Sequence, residues 1–532
     1  MRESKGSMRG VVWRGPGRID IRSLRLGAQD LLADARYLGP PGDRTQLRVA
    51  LPRAVAPGEV ISLHIEFRNV LPPVFARSGY QEDFLAATQW FPKLARLRPE
   101  GYWASYPYHA LGEFDADFAD YELSLRVPSD WHVAASAEAK TQGSIENMPG
   151  GVSTLRFSTP RALDLAFFAW RRGGPTRLDR EGVALVLHTP RGYGAMGAAY
   201  RPLARGSLDF FSKHYGAYPY PSLQLALPPA GAEGAAAMEY PGLVALSTQR
   251  WPLPGFLLYG RYVLVHEIAH QWFYALVASD EVSSPVLDEG LSEWIALDFL
   301  NHFSLEEGAR RPQAPFDLFT LTQRFAFSGG SPVRPSHWPA YAYRSTRDYA
   351  RAVYAKPALL LETIARTWGR ERLRRALGNY ARAHRFQHAT LEELYASFDR
   401  EYGEGFAGRF LRPALEEGAH AETRLFLRTS SSAGQGDALH LERRGSLPLP
   451  LEVDCVDAAG ARRRLTWPAS RSVLSIPLRG MRAVVVDPEG RNLLDPERGD
   501  DRWFATEAQR GKTTFVALLR SILQSLLSLW LL

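Results

Sequence analysis

The stretch His266-Glu267-Ile268-Ala269-His270, followed after eighteen residues by Glu289, decides the reading of this chain. On a helix, residues four apart share a face, so His266 and His270 project side by side. That spacing suits two nitrogen ligands on one tetrahedral zinc. Glu267 follows the first histidine. It can lean over a metal without binding it, as a general base acting on water must. Glu289 supplies a third ligand and leaves a fourth position for water. Two histidines, one glutamate and an open position make the catalytic pattern, not the closed structural one.

A surface helix with two solvated histidines is the alternative, because the motif is short and the chain has 13 histidines. The flanks weigh against it. Val263, Leu264 and Val265 precede the motif, and Trp272 and Phe273 follow it. A helix that apolar is buried, and buried ionisable groups need partners. Leu287-Asp288-Glu289-Gly290 then opens a second apolar helix over residues 291–300. Glu293, four residues after Glu289, is placed either to hold a ligand histidine by hydrogen bonding or to sit on a solvated face.

The 532 residues are 45% hydrophobic and 11% aromatic, which describes a folded protein of several domains. The net charge is +7, yet only six of the 64 basic residues are lysine and the arginines are spread along the chain. This is a compositional bias, and no nucleic-acid partner is expected. Arg372, Arg374 and Arg375 read as a solvated helix face. The one cysteine, Cys455, has apolar neighbours at every second position (Leu451 and Val453) and reads as a buried strand residue. The first 17 residues lack the apolar core of a signal peptide. Residues 513–532 form an apolar helical stripe with Arg520 inside it, better suited to lying on a membrane surface than to crossing it. Docking on the protein's own surface is the alternative. The expected location is cytoplasmic or membrane-peripheral.

Residues 1–175 alternate as strands, with few strand signals before residue 45, so the N-terminal β-sandwich is expected to be shortened. Phe114 and Phe118, interleaved with Asp115, Asp117 and Asp120, favour a strand over a calcium loop there. Residues 176–421 mix strands with long helices, and Thr390 with Glu393 forms a capping box. His384 and His388 repeat the four-residue spacing, but a helix end is the better reading. Residues 422–499 return to short strands, a second small β-sandwich. Residues 500–532 read as a linker and the apolar tail.

The HEIAHQWF run, the eighteen-residue gap and LDEG together resemble the aminopeptidase N-type gluzincin family of zinc metallopeptidases. Ala236-Ala237-Met238-Glu239-Tyr240-Pro241-Gly242-Leu243 looks like the family's GAMEN motif, in an MEYPG form that resembles a bacterial branch. Residues 353–359, Val-Tyr-Ala-Lys-Pro-Ala-Leu, look like its Tyr-x-Lys-Gly-Ala segment. The resemblance implies a β-sandwich, a thermolysin-like α/β catalytic domain with a mainly helical C-terminal part, and a small C-terminal β-sandwich. It implies one zinc per chain on His266, His270 and Glu289, with Glu267 as base and Tyr354 as oxyanion donor. It implies peptide substrates with a free N-terminus, held by Glu239 with Met238 and Ala237. The departures are Ala236 and Tyr240 in the GAMEN-like stretch, Asp288 for Asn, and Pro357 for Gly. They leave room for a zinc endopeptidase or other zinc hydrolase without amino-terminal selection. A non-enzymatic scaffold is the remaining alternative.

Overall fold

A computed structural model describes residues 17–73, 76–137, 151–178, 182–247, 254–303, 317–327, 333–428, 437–497 and 500–505. The apolar stripe at 513–532 lies outside them. The chain divides into two compact units. One comprises residues 1–206, 218–251 and 263–282; the other comprises 207–217, 252–262 and 283–532.

The first unit opens on antiparallel β structure. Arg18–Leu26 pairs with Leu63–Val70, so a nine-residue strand stands where few strand signals are legible. The register shifts between Ile21 and Ser23. That bulge breaks the alternation, leaving apolar residues at 19 and 21, then at 24 and 26. Ala119–Pro128 pairs with Val152–Ala162, as its alternation predicts. Residues 114–118 are not part of that strand. Asp115 there is held by Arg96 and Arg98, a pairing distant in sequence. Phe84–Ala87, His132–Ala135 and Phe167–Trp170 share a four-stranded sheet with Gly79–Gln81.

A second four-stranded sheet of this unit runs Gly173–Arg177, Ala184–Pro190, Ser222–Ala226, Leu243–Ala245. Its last three strands are parallel. A parallel pair requires a crossover, and helix α1 (Gly194–Tyr215) lies in the first one. Phe84, Phe168 and Trp170 of the first sheet share one core with Ala226, Leu243 and Ala245 of the second. Met238 and Tyr240 belong to the same core, so the GAMEN-like stretch is anchored by packing.

Helix α2 (Pro254–Ala269) carries HEIAH at its end. The second unit holds α3 (Leu291–His302), α4 (Leu318–Phe327), α5 (Thr346–Tyr349), α6 (Lys356–Trp368), α7 (Arg370–Ala383), α8 (Leu391–Tyr402) and α9 (Phe406–Glu416). Helix α7 stops before His384, and α8 starts on the Thr390–Glu393 capping box. The last strands form sheets of three and four, with Cys455 buried in Leu451–Asp457. Arg502–Phe504 pairs with Met481–Val486, so the stretch read as linker completes a sheet. Three residues are too few to show a period.

Of the α7 arginines, Arg375 stays exposed as its solvated-face reading expects, and Arg374 departs from that reading. Arg374 is buried and bonds Asp298 of α3, while Arg372 and Arg375 reach Glu401 of α8. Arg370 bridges Asp298 and Glu362, which also accepts from Trp294 Nε1. Charge alone does not distinguish a solvated arginine from one whose partners lie on other helices. Asp298→Ala would leave two guanidinium groups short of a buried carboxylate. It should cost about 3 kcal/mol or more in urea unfolding; a loss under about 1 kcal/mol would mean the network is not structural.

Candidate metal centre

His266, Glu267 and His270 are at most 5% exposed at the end of α2. The two histidine Nε2 atoms stand 3.1 Å apart. His270 Nδ1 lies 3.2 Å from the carbonyl oxygen of Phe273. A carbonyl can only accept, so Nδ1 carries the proton. In the neutral ring Nε2 then presents its lone pair, the state a metal ligand needs. Two nitrogens each about 2.0–2.1 Å from a shared tetrahedral zinc stand about 3.3 Å apart, close to the spacing found.

Glu289 lies in a wide, π-helical turn, Val286–Gly290, and Tyr354 in a second one, Ala350–Ala355. Such turns re-aim side chains that a regular helix would point elsewhere and recur at functional sites. The Tyr354 hydroxyl donates to the Glu289 carboxylate. Gly290 explains how the turns meet. A Cβ there would come within 2.7 Å of Pro357 Cβ and 3.1 Å of the Val353 carbonyl. Pro357, the departure from the Tyr-x-Lys-Gly pattern, thus packs where residue 290 has no side chain. Glu293 accepts from the Tyr262 hydroxyl on α2, one turn before His266.

Among the described residues, one ligand atom from each of His266, His270 and Glu289 lies within 4.8 Å of the other two. All three residues are buried. Two neutral imidazoles and a carboxylate are the donor set of a catalytic zinc site, so the residues present fit that metal.

The GAMEN-like stretch is ordered around the same helix. A Glu239 carboxylate oxygen lies within 4.8 Å of a His270 ring nitrogen. Gln271, next along the chain, donates to the carbonyls of Glu239 and Tyr240 and accepts from Gly242 N–H. Sequence reasoning passed over Gln271; its signal was only its place beside a ligand. Gly242 has φ 71°, and a Cβ on it would meet the Ser136 carbonyl at 2.7 Å. Met238 is 2% exposed in the core and pairs through its backbone with Ala245. Tyr240 is wholly buried, edge-on to Phe168. Ala237 is left-handed, with φ 53°.

Lys356 was also passed over as a functional candidate. It is 1% exposed, and its Nζ has no hydrogen-bond partner among the described residues. Burial pushes its pKa down to about 7.

The chain is similar to known proteins over much of its length. Residues 203–408 match the peptidase family M1 domain. The chain is 22% identical over 363 residues to aminopeptidase 2 of Candida albicans, covering 65% of this chain and 37% of that protein. It is 25% identical over 303 residues to aminopeptidase M1-B of Oryza sativa subsp. japonica, covering 54% and 33%. The chain therefore spans roughly a third of the length of these relatives. The solved structure of Legionella pneumophila aminopeptidase A in complex with aspartic acid superposes with a TM-score of 0.62 at 13% identity. It covers 86% of this chain and 51% of that one. This likeness supports the multidomain fold: a β-rich N-terminal region, an α/β part and a helical part. No described helix is long and apolar enough to cross a membrane.

The state of Lys356 gives a pH test. Its folded pKa lies below the unfolded one, so the unfolded chain binds more protons between about pH 7 and 10.4. The penalty for burying this amine is full below that window and vanishes above it. Lys356→Met should therefore be more stable than the parent by on the order of a few kcal/mol near pH 7. By pH 10.5 that gap should nearly close. Urea unfolding at both pH values measures it; an equal gap at both would mean the amine is not buried unpaired.

Proposed function

We propose, from the match of residues 203–408 to the peptidase family M1 domain, that this protein is a zinc-dependent aminopeptidase that hydrolyses N-terminal peptide bonds. The observation that carries the reading is the buried donor set of His266, His270 and Glu289, with the buried Glu267 next to His266 along the chain. His266, His270 and Glu289 would hold the metal. Zinc, when bound, supplies Lewis acidity that polarises a carbonyl and acidifies water.

The chain's own residues supply the remaining chemistry. Glu267 takes a proton from the attacking water and delivers it to the leaving amine nitrogen. Its low exposure keeps bulk water from competing for that proton. Tyr354 offers its hydroxyl to the developing oxyanion, exchanging its bond to Glu289 for one to substrate. Glu239 holds the α-ammonium of the substrate by a charge-assisted hydrogen bond. The substitution of Tyr240 in the GAMEN-like stretch is supported as a packing change, because that ring is buried in the core. Its presence therefore does not argue for an endopeptidase.

Glu267→Gln should keep its zinc by atomic absorption and lose about 100-fold or more in turnover. Near-normal turnover would remove Glu267 as the base. Tyr354→Phe should lose about 100-fold with zinc content unchanged; a loss below about threefold would leave Tyr354 as packing.

Amino-terminal selection has its own test. Free-amine peptides should be cleaved at least about tenfold better than N-acetylated ones, because the cap leaves a desolvated carboxylate unpaired. Glu239→Ala should erase most of that difference. Equal cleavage of both by the parent would favour a zinc endopeptidase.

A further inference from the structure

The backbone that presents Glu239 is held by two side chains. Gln271 grips the carbonyls of Glu239 and Tyr240. The second is Arg77, a residue of the N-terminal β region 160 positions earlier than Ala237. Its Nη1 donates to the carbonyl of Ala237 at 2.6 Å and of Ala236 at 3.4 Å. Its backbone N–H donates to the Gly234 carbonyl at 2.6 Å. Its Nη2 pairs with Glu113.

Ala237 has φ 53°, a conformation that side chains with a Cβ disfavour. Such a residue persists only where its surroundings over-determine it. Arg77 provides that restraint at the carbonyl of the strained residue itself. Two residues on, Glu239 is 4% exposed, and its Oε1 has no hydrogen-bond partner among the described residues. Its carboxylate is thus aimed by its backbone and not by a bond of that oxygen. The guanidinium charge also acts on Glu113, Glu239 and Glu267.

We propose that Arg77 is the positioning residue for amino-terminal selection: it clamps Ala236 and Ala237, holds residue 237 left-handed, and so sets the carboxylate of Glu239. Glu113 keeps the guanidinium plane turned toward the loop. The consequence for substrates rests on the aminopeptidase reading; the clamp does not. Arg77 touches no reacting atom; its loss acts through the loop and through the charge it places near Glu239 and Glu267, and Arg77→Lys, which keeps that charge, separates the two.

The test uses full-length, zinc-loaded protein as the parent, Arg77→Ala, Arg77→Lys and Arg77→Ala with Ala237→Gly. Amide hydrogen exchange over residues 233–240 reads the clamp. Free-amine against N-acetylated peptides reads its effect. Arg77→Ala should raise exchange in that segment about tenfold and lower the free-amine preference about tenfold, mainly through KM, with zinc content unchanged. Glycine reaches the left-handed region without a clamp, so Ala237→Gly should return part of the lost preference. Arg77→Lys, which keeps a donor and the charge, should fall between. Exchange within about twofold of the parent would overturn the clamp, whatever the substrates show. Faster exchange with an unchanged preference would overturn its link to Glu239. A parent that does not discriminate would sink the amine reading, while exchange still decides the clamp. If Arg77→Ala does not fold, Arg77→Lys and Glu113→Gln carry both measurements.

Discussion

Two imidazole nitrogens 3.1 Å apart, at the buried end of an apolar helix, set the constraint that the surrounding structure meets. Both rings must stay neutral, with lone pairs turned toward one point. The Phe273 carbonyl fixes the tautomer of a neutral His270 by accepting its Nδ1 proton, which leaves Nε2 as the ligand atom. The helix that carries the pair cannot be solvated without losing the dry surroundings that make the arrangement useful. Val263, Leu264, Val265 and Trp272 keep it buried. The next residue, Gln271, turns the same helix end into an anchor for the Glu239 loop.

The second unit supplies its own rigidity. Glu289 and Tyr354 lie in π-helical turns brought together where Gly290 has no side chain. Behind them, Asp298 and Glu362 gather Arg370, Arg374 and Trp294 between α3, α6 and α7. Buried carboxylates of this kind are tolerable only when each is paired. They hold the helices that follow Glu289 and Tyr354 in one arrangement. Lys356 is the contrasting case, a buried amine without a hydrogen-bond partner among the described residues and brought near neutrality by burial.

Legibility in the sequence followed the range of the interaction. The His266–His270 pair was readable because helix geometry acts over four residues. Glu289 was readable from the LDEG context, although the turn that aims it was not. Alternating strands such as Ala119–Pro128 were plain, while Arg18–Leu26 was hidden by its bulge. The strand Arg502–Phe504 was too short to show a period. Arg77, Gln271 and Arg374 escape the sequence for a common reason. Each has partners set by tertiary structure, and composition carries no record of them. The clearest example is Arg77, whose role depends on a carbonyl 160 residues away.

The proposed function stands or falls on whether His266, His270 and Glu289 hold one zinc ion with an open position. X-ray absorption at the zinc edge of the purified protein tests it most directly. The zinc should be four-coordinate, with two imidazole nitrogens and oxygen ligands at about 2.0–2.2 Å and no sulfur, and the imidazole signature should be lost in His270→Ala. A six-coordinate, all-oxygen shell, or an unchanged spectrum in that variant, would contradict it.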